Sequence, residues 1–345
     1  MRLWLYRTLT VGIFATSGAN FYALSQNPFA NPIVARTTED AKRALTLTLK
    51  RTVTVDWIAP RLDQATVSGN IDDIEMLFQL ADMHDVIIPA DQRAAAQKVI
   101  DDANTMTAQI ADCAICAVDI QQCKRLSQIA ACAVPFELTP LGDLNALNRA
   151  KTNVIMGQPV DMLDAGLAIV GLGATAATLH SGGSSLTVKA GASLLRLGRR
   201  IGSVTPAFTR VLRKTADIDV NWSAVPAYTI GTKGLDDVVD AAQLVRLQRL
   251  AGNLGEVRKH TSLGDTLGLM RHVDSAEDAA SLARVARAQG PATRATFYAL
   301  GKARTFRAIH RLSDLLMATY ALLAALVTQV LVFAAGIIRR MLRPI

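Results

Sequence analysis

The chain has 345 residues, half of them apolar and only 5% aromatic, with 37 Lys and Arg against 29 Asp and Glu. That length allows two domains, or one domain with membrane elements, and a sizeable core. The weight of Ala and Leu disfavours sandwiches and barrels, so the expectation is an all-α, helical membrane-anchored protein with a C-terminal transmembrane helix and one or two further membrane segments.

At the N-terminus, Arg2 and Arg7 precede an apolar stretch from Leu9 to Ala15, and Ser17-Gly18-Ala19 supplies small residues at cleavage-site spacing. Residues 1–25 therefore read as a signal peptide or signal anchor. Residues 26–160 follow as an acidic helical domain, with 12 Lys and Arg against 16 Asp and Glu. Helix starts recur where a capping residue precedes a first-turn acid by three: Thr37 and Asp40, Asn70 and Asp73, and, further on, Ser275 and Asp278. Ala44 to Val55 alternates Leu or Val with Thr, a strand-like period, but its flanks favour helix. Ser68-Gly69-Asn70 marks a turn, Ile87-Ile88-Pro89 a break, and Ala90 to about Ala111 a further helix.

All four cysteines, Cys113, Cys116, Cys123 and Cys132, fall within twenty residues. On one unbroken helix the first three would lie within about 80° of one another, while Cys132 would point away and sit about 28 Å from Cys113. The thiols can meet only if the chain turns, around Val118 to Gln121. An exported region favours disulfides, with three possible pairings; a hairpin would most simply join Cys116 to Cys123 and Cys113 to Cys132. Buried free thiols, a zinc site and a redox pair at Cys113 and Cys116 are the other readings. Val134-Pro135 and Thr139-Pro140 close this segment.

Residues 161–182 hold Ala165 to Leu179, fifteen residues without a charge and rich in Gly and Ala. They are expected either to span the membrane or to pack as a buried small-residue helix. Within them Gly171-Leu172-Gly173-Ala174-Thr175-Ala176 superficially matches a dinucleotide-binding glycine pattern, but no acid lies near twenty residues downstream. The charges flanking the segment favour its spanning, a three-pass arrangement with the acidic domain periplasmic and the basic one cytoplasmic; without that span, everything between the two termini would share one side and the tail would be cytoplasmic.

Residues 183–313 form a basic helical domain, with 20 Lys and Arg against 10 Asp and Glu. Its first run sets Leu186, Val188, Leu194, Leu195, Leu197 and Ile201 beside Lys189, Arg196, Arg199 and Arg200, the makings of a helix lying on anionic lipid. From Leu235 to Leu250, the positions Leu235, Val238, Val239, Ala242, Val245 and Leu250 make one helical face. The aromatics are few and form no nucleic-acid module, so nucleic acid is not expected as a partner. His84, His180, His260, His272 and His310 are scattered, and no metal pair or catalytic triad pattern accompanies them.

From Gly290-Pro291 the chain is expected to run as one long helix into the anchor, Leu315 to Ile338 within residues 314–338. That segment has 24 residues without a charge, about 36 Å of helix and enough to cross a hydrocarbon core. Arg307 and Arg311 before it, and Arg339 and Arg340 in the basic tail of residues 339–345, are candidates for headgroup contact. The function expected is that of a structural or interaction protein of a bacterial inner membrane, with membrane lipids and a protein as partners and no cofactor. A membrane-anchored thiol-disulfide oxidoreductase using Cys113 and Cys116, and a component of a membrane transport assembly, are the alternatives.

Overall fold

The computed structural model describes residues 33–118, 123, 125–133, 140–181 and 184–312, together with Gly12, Ala15, Thr16, Ala19 and Tyr22 near one end and Ala324, Val327, Thr328, Val330 and Leu331 near the other. A strand, β1 (Ile33–Ala35), precedes helices α1 (Thr38–Thr52), α2 (Val55–Ser68), α3 (Ile71–Met83), α4 (Ala90–Ala103) and α5 (Met106–Val118). The short α6 (Leu126–Gln128) runs into a π-helical turn at Ile129–Ala133. Then come α7 (Pro140–Ile155), α8 (Met162–Ser181), α9 (Ser184–Arg200), α10 (Pro206–Thr215), α11 (Val225–Thr229) and α12 (Ala241–His260). Next come α13 (Leu263–Leu269), α14 (Ala276–Gln289) and α15 (Thr293–Ala308), and β2 (His310–Leu312) follows. The mostly helical composition agrees with the all-α expectation.

Local chemistry accounts for the helix starts. The Asn70 and Ser275 side chains accept from the backbone N–H groups of Asp73 (3.2 Å) and Asp278 (3.1 Å), satisfying donors that a first turn leaves open. Gly69, with φ 65°, ends α2 in the left-handed region where glycine is favoured. The Leu–Thr alternation in α1 resolves as helix: Leu45 and Leu49, four apart, are buried, whereas Leu47 is exposed. The Thr48 and Thr52 hydroxyls donate back to the carbonyls of Ala44 and Thr48.

Three boundaries differ from the sequence reading. The helix from Ala90 ends at Ala103, because the Asn104 N–H turns back to Ile100 and Asp101 and the Thr105 hydroxyl donates to Asp102; α5 then starts afresh. The face counted from Leu235 is interrupted by the start of α12. Asp240 accepts from the Ala242 N–H, and the buried stripe becomes Leu244, Leu247, Leu250, Ala251, Leu254 and Val257, leaving Val245 exposed. Finally, α15 does not continue towards the anchor: it kinks at Gly301, φ 71°, and gives way to β2.

Residues 38–309 form one compact unit. Within it, helices from the acidic and the basic stretches pack together: α1 lies against α14 and α15, and α3 against α15. The segment Ala165 to Leu179 lies in α8, packed against α7, α9 and α12, with Ala165, Leu167, Ala168, Ile169 and Val170 buried. Small residues allow that approach: a Cβ on Gly171 would come within 2.7 Å of the Asp143 carboxylate. The Gly171–Ala176 pattern therefore sits inside a helix, without the strand-to-helix turn that a dinucleotide site needs. Among the described residues no helix is long and apolar enough to cross a membrane.

The second unit comprises the two ends, residues 1–37 and 310–345. Here β1 and β2 pair antiparallel, Ile33 with Leu312, Val34 with Arg311 and Ala35 with His310, and Arg36 Nε donates to the His310 carbonyl at 3.2 Å. The described residues of both apolar terminal segments are helical, and Val327, Val330 and Leu331 are exposed. The Thr16 and Thr328 hydroxyls donate to the carbonyls of Gly12 and Ala324 four residues back, both at 2.8 Å. The rest of the N-terminal signal segment and of Leu315 to Ile338 lies outside the described residues, as do Arg339 and Arg340.

Candidate functional site

The cysteines sit on a hairpin. Cys113 and Cys116 lie one turn apart on α5, Cys123 in the return, and Cys132 in the π-helical turn after α6. Cys113 is bonded to Cys132, with 5.5 Å between their Cα atoms, and Cys116 to Cys123, with 4.5 Å. The two bonds are nested, and together they take up all four sulfurs. Cys116 is fully buried.

The returning arm is seated on the body of the molecule at Leu126. Its N–H donates to the Asp72 carboxylate on α3 at 3.1 Å, its backbone lies over Gly264 of α13 and its side chain over Gly268, and at each glycine an added Cβ would come within 2.8 Å. Arg294 joins this seat by ion pairs with Asp72 at 3.8 Å and Asp265 at 3.4 Å. Burial, with Asp72 adding to it, raises the Glu75 carboxyl above its ordinary range. At the outer edge, Arg125 donates to the Asn104 side chain at 2.8 Å.

A second polar cluster lies where α7, α8 and α9 meet. Arg196, expected to touch lipid, is instead almost wholly buried: it donates to Asp143 at 2.5 Å, to Asp164 at 3.0 Å and to the Gly142 carbonyl at 2.9 Å. A guanidinium supplies five donors in a fixed fork, which suits this convergence of two carboxylates and a carbonyl. Arg199 is half-buried and forms a forked ion pair with the exposed Asp161. Burial alone would raise the Asp161 carboxyl, but the hydrogen bonds from Arg199 and from the Asp164 N–H hold it below the ordinary carboxylate range. Nearby, the Tyr228 hydroxyl donates to the Ile169 carbonyl at 3.1 Å, and burial pushes its pKa up. The other lipid candidates divide: Arg200, Arg307 and Arg311 are exposed, and Lys189 is half-buried.

Lys189 belongs to a cleft that sequence reasoning missed. Helices α9 and α12 approach so closely that a Cβ on Gly191 would overlap the Ala251 carbonyl, and one on Gly255 the Thr187 carbonyl. Beside this crossing is a space of about 480 Å³ lined by Leu186, Lys189, Leu194, Arg258, Lys259 and Leu263 among others. Its lining has three cations and no acid. A second space, of about 430 Å³, is lined by both signs of charge, including Asp161, Arg199, Arg213 and Asp217. The only sequence signal for the first was the pair of glycines, since Lys189 lies some seventy residues from Arg258.

Among the described residues no group of three or more His, Cys, Asp or Glu is arranged to hold a metal ion. No protein-family model matches the chain, and neither a curated protein nor a solved structure matches it.

Proposed function

We propose that the chain is a non-catalytic interaction protein of a bacterial inner membrane, carrying residues 38–309 as one helical unit on the periplasmic side with both ends in the cytoplasm. The observation that carries this reading is the cross-pairing of the cysteines. Bonds from Cys113 to Cys132 and from Cys116 to Cys123 tie two arms of a hairpin together, as a structural brace does in an oxidising compartment. A thiol-disulfide exchange pair at Cys113 and Cys116 would instead require those two sulfurs to meet each other.

Packing supports this sidedness. Helices before and after α8 belong to one compact unit, which favours their lying on one side of a bilayer. The β1–β2 pairing brings Ile33 beside Leu312, which supports two apolar segments entering the same membrane face side by side. With the helical unit outside, Arg2 and Arg7 at one end and Arg339, Arg340 and Arg343 at the other all fall on the cytoplasmic side, as the positive-inside tendency favours. The back-bonded Thr16 and Thr328 hydroxyls suit an apolar medium, where an unsatisfied hydroxyl is costly.

The test is alkylation of the membrane-extracted full chain without reduction, followed by mass-spectrometric peptide mapping, alongside carbonate washing of the membranes. The expected result is a carbonate-resistant protein yielding the 113–132 and 116–123 cross-links. Free thiols, a Cys113–Cys116 cross-link or release by carbonate would contradict the reading.

A further inference from the structure

We infer that the cleft between α9 and α12 binds the phosphate of an acidic phospholipid, with the adjoining acyl chains lying over Leu186. This rests on the membrane reading above and adds a ligand to it.

The chemistry of the lining leads there. Lys189 comes from α9 and Arg258 and Lys259 from the last turn of α12, so two elements converge three cations on one space with no acid in its lining. Arg258 spends one N–H on the Thr261 carbonyl at 2.9 Å, and among the described residues no carboxylate forms an ion pair with Lys189, Arg258 or Lys259. The other cations nearby behave differently: Arg196 and Arg199 are engaged by Asp143, Asp164 and Asp161, and Arg287 by Glu256 at 2.9 Å. Burial lowers the Lys189 pKa against the opposing pull of the Asp143 carboxylate, so its ammonium gains more from a new anion than a fully hydrated one would. The part-buried Lys189 and Arg258, with Lys259 exposed beside them, match a phosphate, which offers several acceptor oxygens to an Arg fork and to Lys point charges.

Apart from Thr187 and Gly255, the remaining lining is apolar. Leu194 and Leu263 are buried, Ala190 adds a methyl, and Leu186 is 55% exposed at the rim, an apolar side chain held in water beside the cations. A volume of about 480 Å³ is ample for a headgroup and the start of its chains. A hydrophilic anion would use the cations and leave Leu186 in water; an anionic amphiphile uses both.

The test uses the full chain in neutral detergent and native mass spectrometry with three probes. These are dioctanoyl phosphatidylglycerol, which has phosphate and chains, dioctanoylglycerol, which has chains alone, and inorganic phosphate. The expected result is that the phospholipid binds at least tenfold more tightly than either of the others. The triple variant K189Q/R258Q/K259Q should reduce that binding at least tenfold, whereas R210Q/R284Q/R304Q, which removes three exposed arginines elsewhere, should leave it unchanged. Because the triple variant alters the α12 terminus, the single variant Leu186→Asp at the exposed rim provides a second arm and should weaken phospholipid binding without changing the thermal midpoint. Equal binding of inorganic phosphate and phospholipid, equal losses in both triple variants, or an indifferent Leu186→Asp would overturn the assignment. A carbonate-resistant chain without phospholipid selectivity overturns the cleft alone; a carbonate-soluble chain that retains it overturns the membrane reading alone.

Discussion

At the scale of single residues, the buried Arg196 is the most consequential side chain of the helical unit. Its sequence neighbours, Leu194, Leu195 and Leu197 with Arg199 and Arg200, make it look like part of a solvated basic face. Nothing nearby in sequence warns otherwise, because its partner Asp143 lies 53 residues away and the two meet only once α7 and α9 both pack against α8. Removing one member of a buried pair strands the other charge, so Arg196→Met should destabilise the protein by about 3–5 kcal/mol. Replacing both, as R196M/D143L, should recover most of that loss; thermal melts of the two variants check it. His272 allows a pH prediction. It stacks on Phe297 with ring centroids 5.0 Å apart, and burial, then Arg271 and Lys302, lower its pKa against the opposing Asp274. The unfolded chain therefore binds a proton more readily than the folded one. The contribution of His272 to stability is complete above the ordinary histidine value of about 6.5 and is lost as pH falls below it. The thermal midpoint should drop between pH 7.5 and 6.0, and His272→Gln should narrow the drop.

At the scale of elements, the sequence was legible wherever a local signal decided the outcome. The caps at Asn70 and Ser275, the turn at Gly69 and the break before Ala90 all rest on chemistry within four residues. The hairpin pairing of the cysteines was legible too, since geometry allowed the thiols to meet only through a turn. What escaped was phase. The Asp240 cap restarts the helical count, so a face summed across it keeps the buried Val238, Val239 and Leu250 but wrongly includes the exposed Ala242 and Val245. Closing about twenty residues between Cys113 and Cys132 should contribute on the order of 3 kcal/mol through the unfolded state. C113A/C132A should lose about that amount in denaturant unfolding, with Cys116 and Cys123 still bonded. The α9–α12 crossing gives a sharper element-level test. At Gly191 the obstacle to a Cβ is the Ala251 backbone, whereas at Gly198 it is the flexible end of the Met270 side chain. Gly191→Ala should therefore cost about 1–3 kcal/mol as the helices part, and Gly198→Ala less, by thermal melts of both.

At the scale of the whole molecule, the division into an acidic and a basic stretch is plain in composition, yet it does not mark a boundary in packing. Charge records which side chains face water, whereas packing is decided by apolar faces, and α1, α14 and α15 share theirs across that division. The apolar α8 was ambiguous for a related reason: fifteen uncharged residues satisfy a buried helix as well as a short span, and the small residues that suit lipid bundles equally suit its neighbours α7 and α9. The central claim is that everything between the two apolar ends lies on one side of the membrane. It is tested most directly by inserting a short epitope into the full-length chain at two exposed turns, after Gly157 and after Gly231, with a third at the C-terminus. Antibody should reach the tags at Gly157 and Gly231 in intact spheroplasts and the C-terminal tag only after permeabilisation. A tag at Gly231 that stays hidden while the one at Gly157 is reached would contradict it.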